Sequence, residues 1–243
     1  MARLTRHELK TDEFGTTIEN VEEFARQNAQ QLITGVLAAL LVAAAVIGWR
    51  TYSERQQAAA NAALGQALKT FKAEVSATPV NLFGGQAAPA GQFSSAQDKY
   101  KAALSQFSEV AAKYPRQAAG EFALYHVGLC QALLGNDGGA QKTLEAASHS
   151  SGKAAAALAG MALAGELAKA GKSADAARIY QDLADHPTPT VPRATALLAE
   201  ADLARSTQPA QARALYEKVQ KEFSSDAYLA STVRQQIESL PKP

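Results

Sequence analysis

Residues 32–49, LITGVLAALLVAAAVIGW, are eighteen positions without a charge, and Thr34 carries the only hydroxyl. Coiled as an α-helix at roughly 1.5 Å per residue, the run is about 27 Å long. A bilayer's hydrocarbon core is about 30 Å thick. A helix is also the conformation that satisfies such a segment's backbone without water. The run is therefore read as one membrane span. A core helix of a soluble protein is the alternative, because the many alanines make the segment only moderately apolar. A cleaved signal peptide fits less well, since a signal has a short basic leader and here a mixed-charge stretch of 31 residues precedes the run. Trp49 and Tyr52 suit headgroup depth, and Arg50 suits the phosphate layer, so these three mark a membrane boundary.

The span divides the chain into a polar tail (residues 1–31), the transmembrane helix (32–49) and a body (50–243). The tail carries four Lys/Arg and six Asp/Glu, net −2, and the body twenty and seventeen, net +3. With a total of +1, nothing in the charge points to nucleic acid. The body is long enough for one sizeable core or one continuous array. Cys130 is the only cysteine, so no internal disulfide forms. Its setting, GLCQALLG, suits a small buried hydrophobe better than a nucleophile. Abundant alanine with few aromatics favours packed helices over sheet.

Within the tail, residues 1–15 show no sustained periodicity. Thr16 and Glu19 then fit a capping box. Ile18, Val21, Phe24 and Ala25 follow at helical spacing, predicting a short amphipathic helix before the span. Orientation is open on local charge. Arg26 lies on one side of the span, with Arg50 and Arg55 on the other, which leans slightly toward a cytoplasmic body.

Beyond the span the chain keeps helical character to Glu74, with Leu64, Leu68 and Phe71 on an apolar face. A loop over about 76–93 contains two prolines and three glycines. Helical patterning resumes at Ser94 or Ser95. From there the chain repeats itself. A small residue, a large one four later and a medium one three after that occur as Ala103, Phe107, Val110; Ala140, Leu144, Ala147; Ala176, Tyr180, Leu183; and Ala212, Tyr216, Val219. The large residues are spaced by 37, 36 and 36. This pattern gives one packed stripe per helix, the small residue admitting a neighbouring helix closely. Further helices lie between these stripes, after the exit marked by Pro115 and before the breakers Gly135–Asn136–Asp137–Gly138 and Gly171–Lys172–Ser173 and at Gln208 and Pro209. A closing helix begins with Asp226 as its N-cap and ends before Pro241.

The repeats resemble the tetratricopeptide repeat. Ala103, Phe107 and Pro115 fit its first unit; Gly128, Ala140, Leu144 and Ala147 the next; Leu163, Ala164, Ala176 and Tyr180 another; Ala212 and Tyr216 continue the register. Val110, Leu183 and Val219 replace a usual small residue, the leading tryptophan is absent, and the period exceeds the usual 34. The expected fold is all-α: a single transmembrane helix followed by a tetratricopeptide-like solenoid of helical hairpins. Such arrays line a concave groove with the first helix of each pair. The polar residues there, Glu121, His126, Gln131, Glu166, Lys169, Glu200 and Asp202, are the candidate groove set, with a solvated helix face as the alternative for each.

Catalytic patterns are absent from the sequence. Gly171, Lys172 and Ser173 resemble the end of a phosphate loop, but Gly165 is one place too far and no strand feeds the turn. His7, His126, His149 and His186 are scattered, without HExxH spacing. No cofactor or metal is implied, and the expectation is a binding module rather than an enzyme.

A narrower resemblance lies at the junction, VEEFARQNAQQLITG…IGWRTY, through Val21, Phe24, Asn28, Gly35, Gly48, Trp49, Arg50 and Tyr52. It resembles the bacterial YfgM-like family of ancillary translocon subunits. That resemblance implies a single-pass inner-membrane protein with a cytoplasmic tail and a periplasmic body. It also implies contact with the SecYEG channel and with periplasmic chaperones handling newly exported chains. Gly35, Ala39 and Ala43 recur every four residues, a small-residue face suited to close helix contact. An envelope scaffold coordinating cell division or peptidoglycan synthesis is the alternative for the same architecture.

Overall fold

A computed structural model describes residues 28–75 and 93–241. The expected amphipathic helix with its Thr16 and Glu19 capping box, and most of the 76–93 loop, lie outside the described residues. All regular elements among the described residues are helical. The chain divides into two units, Met1–Gln56 and Gln57–Pro243.

In the first unit the described residues after Asn28 belong to α1 (Ala29–Lys72), a helix of 44 residues that also supplies the start of the second unit. No end falls at Arg50: alanines and straight-chain residues carry the helix on, and Lys69 and Lys72 sit favourably in its last turn. Among the described residues nothing covers its apolar stretch. Ile33, Leu37, Leu41 and Ile47 are each more than half exposed, and Trp49 is 75% exposed. A helix that is apolar all round and uncovered is long and apolar enough to cross a membrane. Thr34 bonds back to the Gln30 carbonyl at 2.7 Å, which removes its hydroxyl as a polar liability.

The second unit opens with the last turns of α1 against α2 (Ala96–Lys113). Ala60 and Ala67 meet Ala103 and Phe107, all four fully buried, with Leu64, Leu68 and Phe71 packed around them. Ser95 caps α2, its hydroxyl accepting the Asp98 N–H at 3.0 Å. A single parallel bridge between Val75 and Phe93 closes the base of the intervening segment.

Three further helix–turn–helix pairs follow: α3 (Ala118–Leu133) with α4 (Asp137–Ser148), α5 (Lys153–Lys169) with α6 (Ser173–Asp185), and α7 (Arg193–Ala204) with α8 (Pro209–Glu222). The closing helix is α9 (Ala227–Ser239), capped by Asp226 on the Leu229 N–H. Each helix from α2 onward packs on its successor, and α3 also packs on α5. The first two of these pairs turn alike. Gly135 and Gly171 both have φ of 78°, the left-handed conformation that favours glycine. At each, the next residue's N–H reaches five residues back, Asn136 to Gln131 and Lys172 to Leu167, both at 2.9 Å. That bond satisfies carbonyls a helix end leaves orphaned. Asp137 and Gly138, read as part of the breaker, belong to α4, because Asn136 caps that helix on the Gly139 N–H.

The repeat residues are the packing stripe. Ala103, Phe107, Ala140, Leu144, Ala147, Ala164, Ala176, Ala212 and Tyr216 are fully buried, and Tyr180 is 7% exposed. Pro115 is exposed in the turn after α2. At Gly128 the pair closes tightly: a Cβ there would sit 2.6 Å from two atoms of the Leu144 side chain. The first helices α3 and α5 are covered on several sides, α3 burying Ala119, Gly120, Glu121, Ala123, Val127, Gly128 and Cys130. The second helices bury a single stripe each, as α4 does through Ala140, Leu144 and Ala147.

Candidate interaction surface

That asymmetry relocates the open surface. Glu121, Glu166 and Glu200 are 7%, 7% and 3% exposed, so these members of the candidate groove set are buried between helices. A buried carboxylate needs hydrogen-bond donors, and each has them. Glu121 accepts the Ser151 hydroxyl at 2.6 Å and the Gly152 N–H at 3.2 Å, which ties α3 to the start of α5. Glu200 accepts from Gln181 Nε2 at 2.7 Å, joining α6 to α7. Glu166 accepts from Lys169 Nζ at 2.6 Å, while the Lys169 side chain stays 72% exposed. Asp202 is exposed and takes the Tyr216 hydroxyl proton as a hydrogen bond, holding α8 on α7. Gln131 is half-buried and its carbonyl accepts the Asn136 N–H in the turn described above.

His126 is likewise a packing residue. Its ring stacks on Phe107 at 4.7 Å between centroids and meets Phe71 at 5.7 Å and Tyr125 at 4.9 Å. Nδ1 lies 2.8 Å from the Phe122 carbonyl, which can only accept, so that nitrogen carries the proton. Burial is the main cause that holds the imidazole below its ordinary value of 6.5, with Lys72 adding to it and the Phe122 bond opposing. The folded chain therefore binds fewer protons at His126 than the unfolded chain once pH drops under about 6.5, and stability falls with pH there. Urea midpoints measured from about pH 7.5 down to 5 should decline, and His126→Phe should flatten that decline. An unchanged slope in the variant would remove His126 as its source.

The open surface lies between second helices. A groove of about 800 Å³ is bounded by the end of α4, the first half of α5 and the end of α6. Ala156, Ala157, Gly160 and Leu163 form its α5 wall, facing Ile179 and Leu183 of α6. Charged and imidazole groups stand along it: Glu145 and His149 from the α4 side, Lys153 from α5, Arg178, Asp182 and His186 from the α6 side.

A smaller groove of about 350 Å³ occupies the same place one repeat earlier. Its residues Ser108, Ala111 and Ala112 become Glu145, Ser148 and His149 after a shift of 37; Gly120, Glu121, Leu124 and Val127 become Ala156, Ala157, Gly160 and Leu163 after 36. One position differs most in character. It holds Glu121 in the first groove, Ala157 in the second and, 36 further on, Arg193. Arg193 lies across the third position. Its Nη1 donates to the Ala184 carbonyl and to Asp185 at 3.3 Å, and Nε to Glu222 at 2.9 Å. The guanidinium in turn holds the Glu222 carboxyl below its usual range. The middle groove is thus wide because alanine stands where both neighbours carry a long charged side chain. The signal in the sequence is a 36-residue offset between first helices, whereas the repeated small–large–medium stripe lies on second helices.

The small-residue face Gly35, Ala39 and Ala43 is exposed along α1, as are Trp49, Arg50 and Tyr52. A Cβ at Gly35 would touch nothing. Cys130 is fully buried in α3, and burial pushes its thiol up to about 11, so it is a poor nucleophile at neutral pH. Among the described residues no three of His, Cys, Asp and Glu gather to hold a metal ion. No protein-family model matches the chain, and no curated protein or solved structure matches it.

Proposed function

We propose that this chain is a single-span membrane protein whose second unit is a degenerate tetratricopeptide array that binds other polypeptides as an ancillary subunit of the protein-export translocon. The observation that carries a binding role is the middle groove: an open, apolar-floored channel repeated in register along the second helices, with its own plug missing. Serial packing of in-register helix pairs supports the array, because each pair contacts its neighbours and builds a surface that extends with each repeat. The uncovered apolar stretch of α1 supports the membrane anchor. The translocon assignment rests on the junction resemblance, which implies a periplasmic body at a bacterial inner membrane.

Purification of the full chain from mild detergent should recover the translocon channel. Recovery of wall synthases without the channel would favour the envelope scaffold instead. A topology reporter joined after Pro243 should be active outside the cytoplasm, and activity confined to the cytoplasm overturns the export reading. Within the membrane, a photo-crosslinker at Ala39 should capture a channel or chaperone helix; capture of lipid alone removes the small-residue face as a contact.

A further inference from the structure

We propose that His126 is an acid-sensitive latch: protonation of its ring releases the last turn of α1 from α2 and α3.

Three helices build the latch. His126 and Tyr125 come from α3, Phe107 and Tyr100 from α2, and Phe71 from the last turn of α1. Phe71 is the joint. Its ring meets His126 at 5.7 Å, Phe107 at 6.1 Å and Tyr100 at 5.6 Å. Among the residues of that turn, Lys69, Thr70, Phe71 and Lys72, it alone has a large apolar side chain. Upstream, Ala60 and Ala67 are fully buried in the same cluster and keep the preceding turns in place. Downstream, the Phe93 N–H reaches the Glu74 carbonyl at a long 3.4 Å. The last turn is thus held chiefly through one ring, and helix ends are the parts of a fold that open most readily.

Acid acts on one nitrogen of the ring. Nδ1 already donates to the Phe122 carbonyl at 2.8 Å, so an added proton goes to Nε2. The cation then stands among Phe71, Phe107 and Tyr125. The titratable groups around it are Lys72 from α1, Tyr100 from α2 behind Phe71, and Tyr125 and Cys130 from α3. None of these is a carboxylate. Phenols and thiols stay neutral in acid, and Lys72 has the same sign as the imidazolium. Burial and Lys72 both oppose the charge.

Relief comes at the α1 end. The α2–α3 contact is made by several buried residues, Ala103, Phe107 and Val110 with Ala119, Ala123 and Val127, and does not depend on the imidazole. Swinging Phe71 away admits water to the ring and takes Lys72 from it. The open form holds the proton more tightly than the closed form. Opening therefore grows as pH falls below about 6.5 and levels off once the closed form is protonated as well. Above that range the ring is neutral and the turn stays shut.

The test follows amide hydrogen exchange by mass spectrometry on the full chain in detergent micelles, from about pH 7.5 to 5, with rates corrected for the intrinsic effect of pH. Opening of residues 69–74 should rise by up to about tenfold per pH unit below about 6.5, while amides of α8 hold constant. His126→Phe, which keeps a ring in the stack, should abolish the rise, and His126→Gln provides a second non-titrating variant. Nitrogen NMR of labelled histidine should place the His126 midpoint under 6.5. A rise that persists in both variants, or an equal rise in every helix, overturns the latch. So does a His126 midpoint at or above 6.5, which would mean that the Phe107 face retains the cation.

Discussion

Replacing Phe107 by alanine should cost about 3–5 kcal/mol, among the largest losses available from a single side chain in this fold. Phe107 is fully buried at the meeting of α1, α2 and α3. Its ring stacks on His126 at 4.7 Å and meets the edge of Phe71 at 6.1 Å, so truncation removes aromatic contacts as well as apolar area. The neighbours are not free to collapse into the space. Ala60, Ala67 and Ala103 in the same cluster have no longer side chain to extend into it. The loss should also be localised. In a serial array each pair is held by the pairs beside it, so the last turns of α1 should detach from α2 before the later pairs melt. Urea unfolding followed by circular dichroism gives the magnitude, and limited proteolysis between residues 57 and 72 gives the location. Phe107→Leu, which keeps most of the volume, should cost less than about 1.5 kcal/mol. A loss below about 1 kcal/mol for the alanine variant would mean that this cluster does not hold the first pair together.

A methyl group added at Gly120 should cost on the order of 3 kcal/mol, through the opposite fault. A Cβ there would stand 1.9 Å from the Tyr114 carbonyl oxygen and 2.6 Å from its carbon. Neither is the end of a flexible side chain that can rotate away. Tyr114 is buried, and its carbonyl also accepts the Gln117 N–H at 3.1 Å in the turn between α2 and α3. Relief thus requires moving the turn and the start of α3 together. Gly165 is the matched control: it lies in the interior of α5 with nothing within 4 Å of an added Cβ. Gly165→Ala should gain up to about 1 kcal/mol from helix propensity alone. Thermal unfolding of both variants separates the two effects, and equal midpoints would sink the close-approach argument.

Sequence patterning reached the elements and the stripe residues, and the reason is that both are local. The α1 stretch shows itself by an uninterrupted lack of charge, the second helices by a small–large–medium spacing, α9 by Asp226. The first helices were harder. In α3 and α5 apolar and small residues sit on nearly every face, because these helices are covered from several directions, and no single stripe stands out. For that reason Glu121, Glu166 and Glu200 read as solvent-facing or groove-facing, although all three are buried. A carboxylate reveals burial only through its donors, and those of Glu121 and Glu200 lie 30 and 19 residues away.

The sequence by itself determined that this protein is helical, that it carries one segment able to cross a membrane, and that its remainder repeats every 36 or 37 residues. Periodicity and charge are properties of neighbours in the chain and need no fold to be seen. Only the tertiary structure decided which side of the helix pairs is open. Groove width depends on how far a side chain at one register position reaches toward a helix from the next repeat. Glu121 and Arg193 reach it; Ala157 does not, and the open surface lies there.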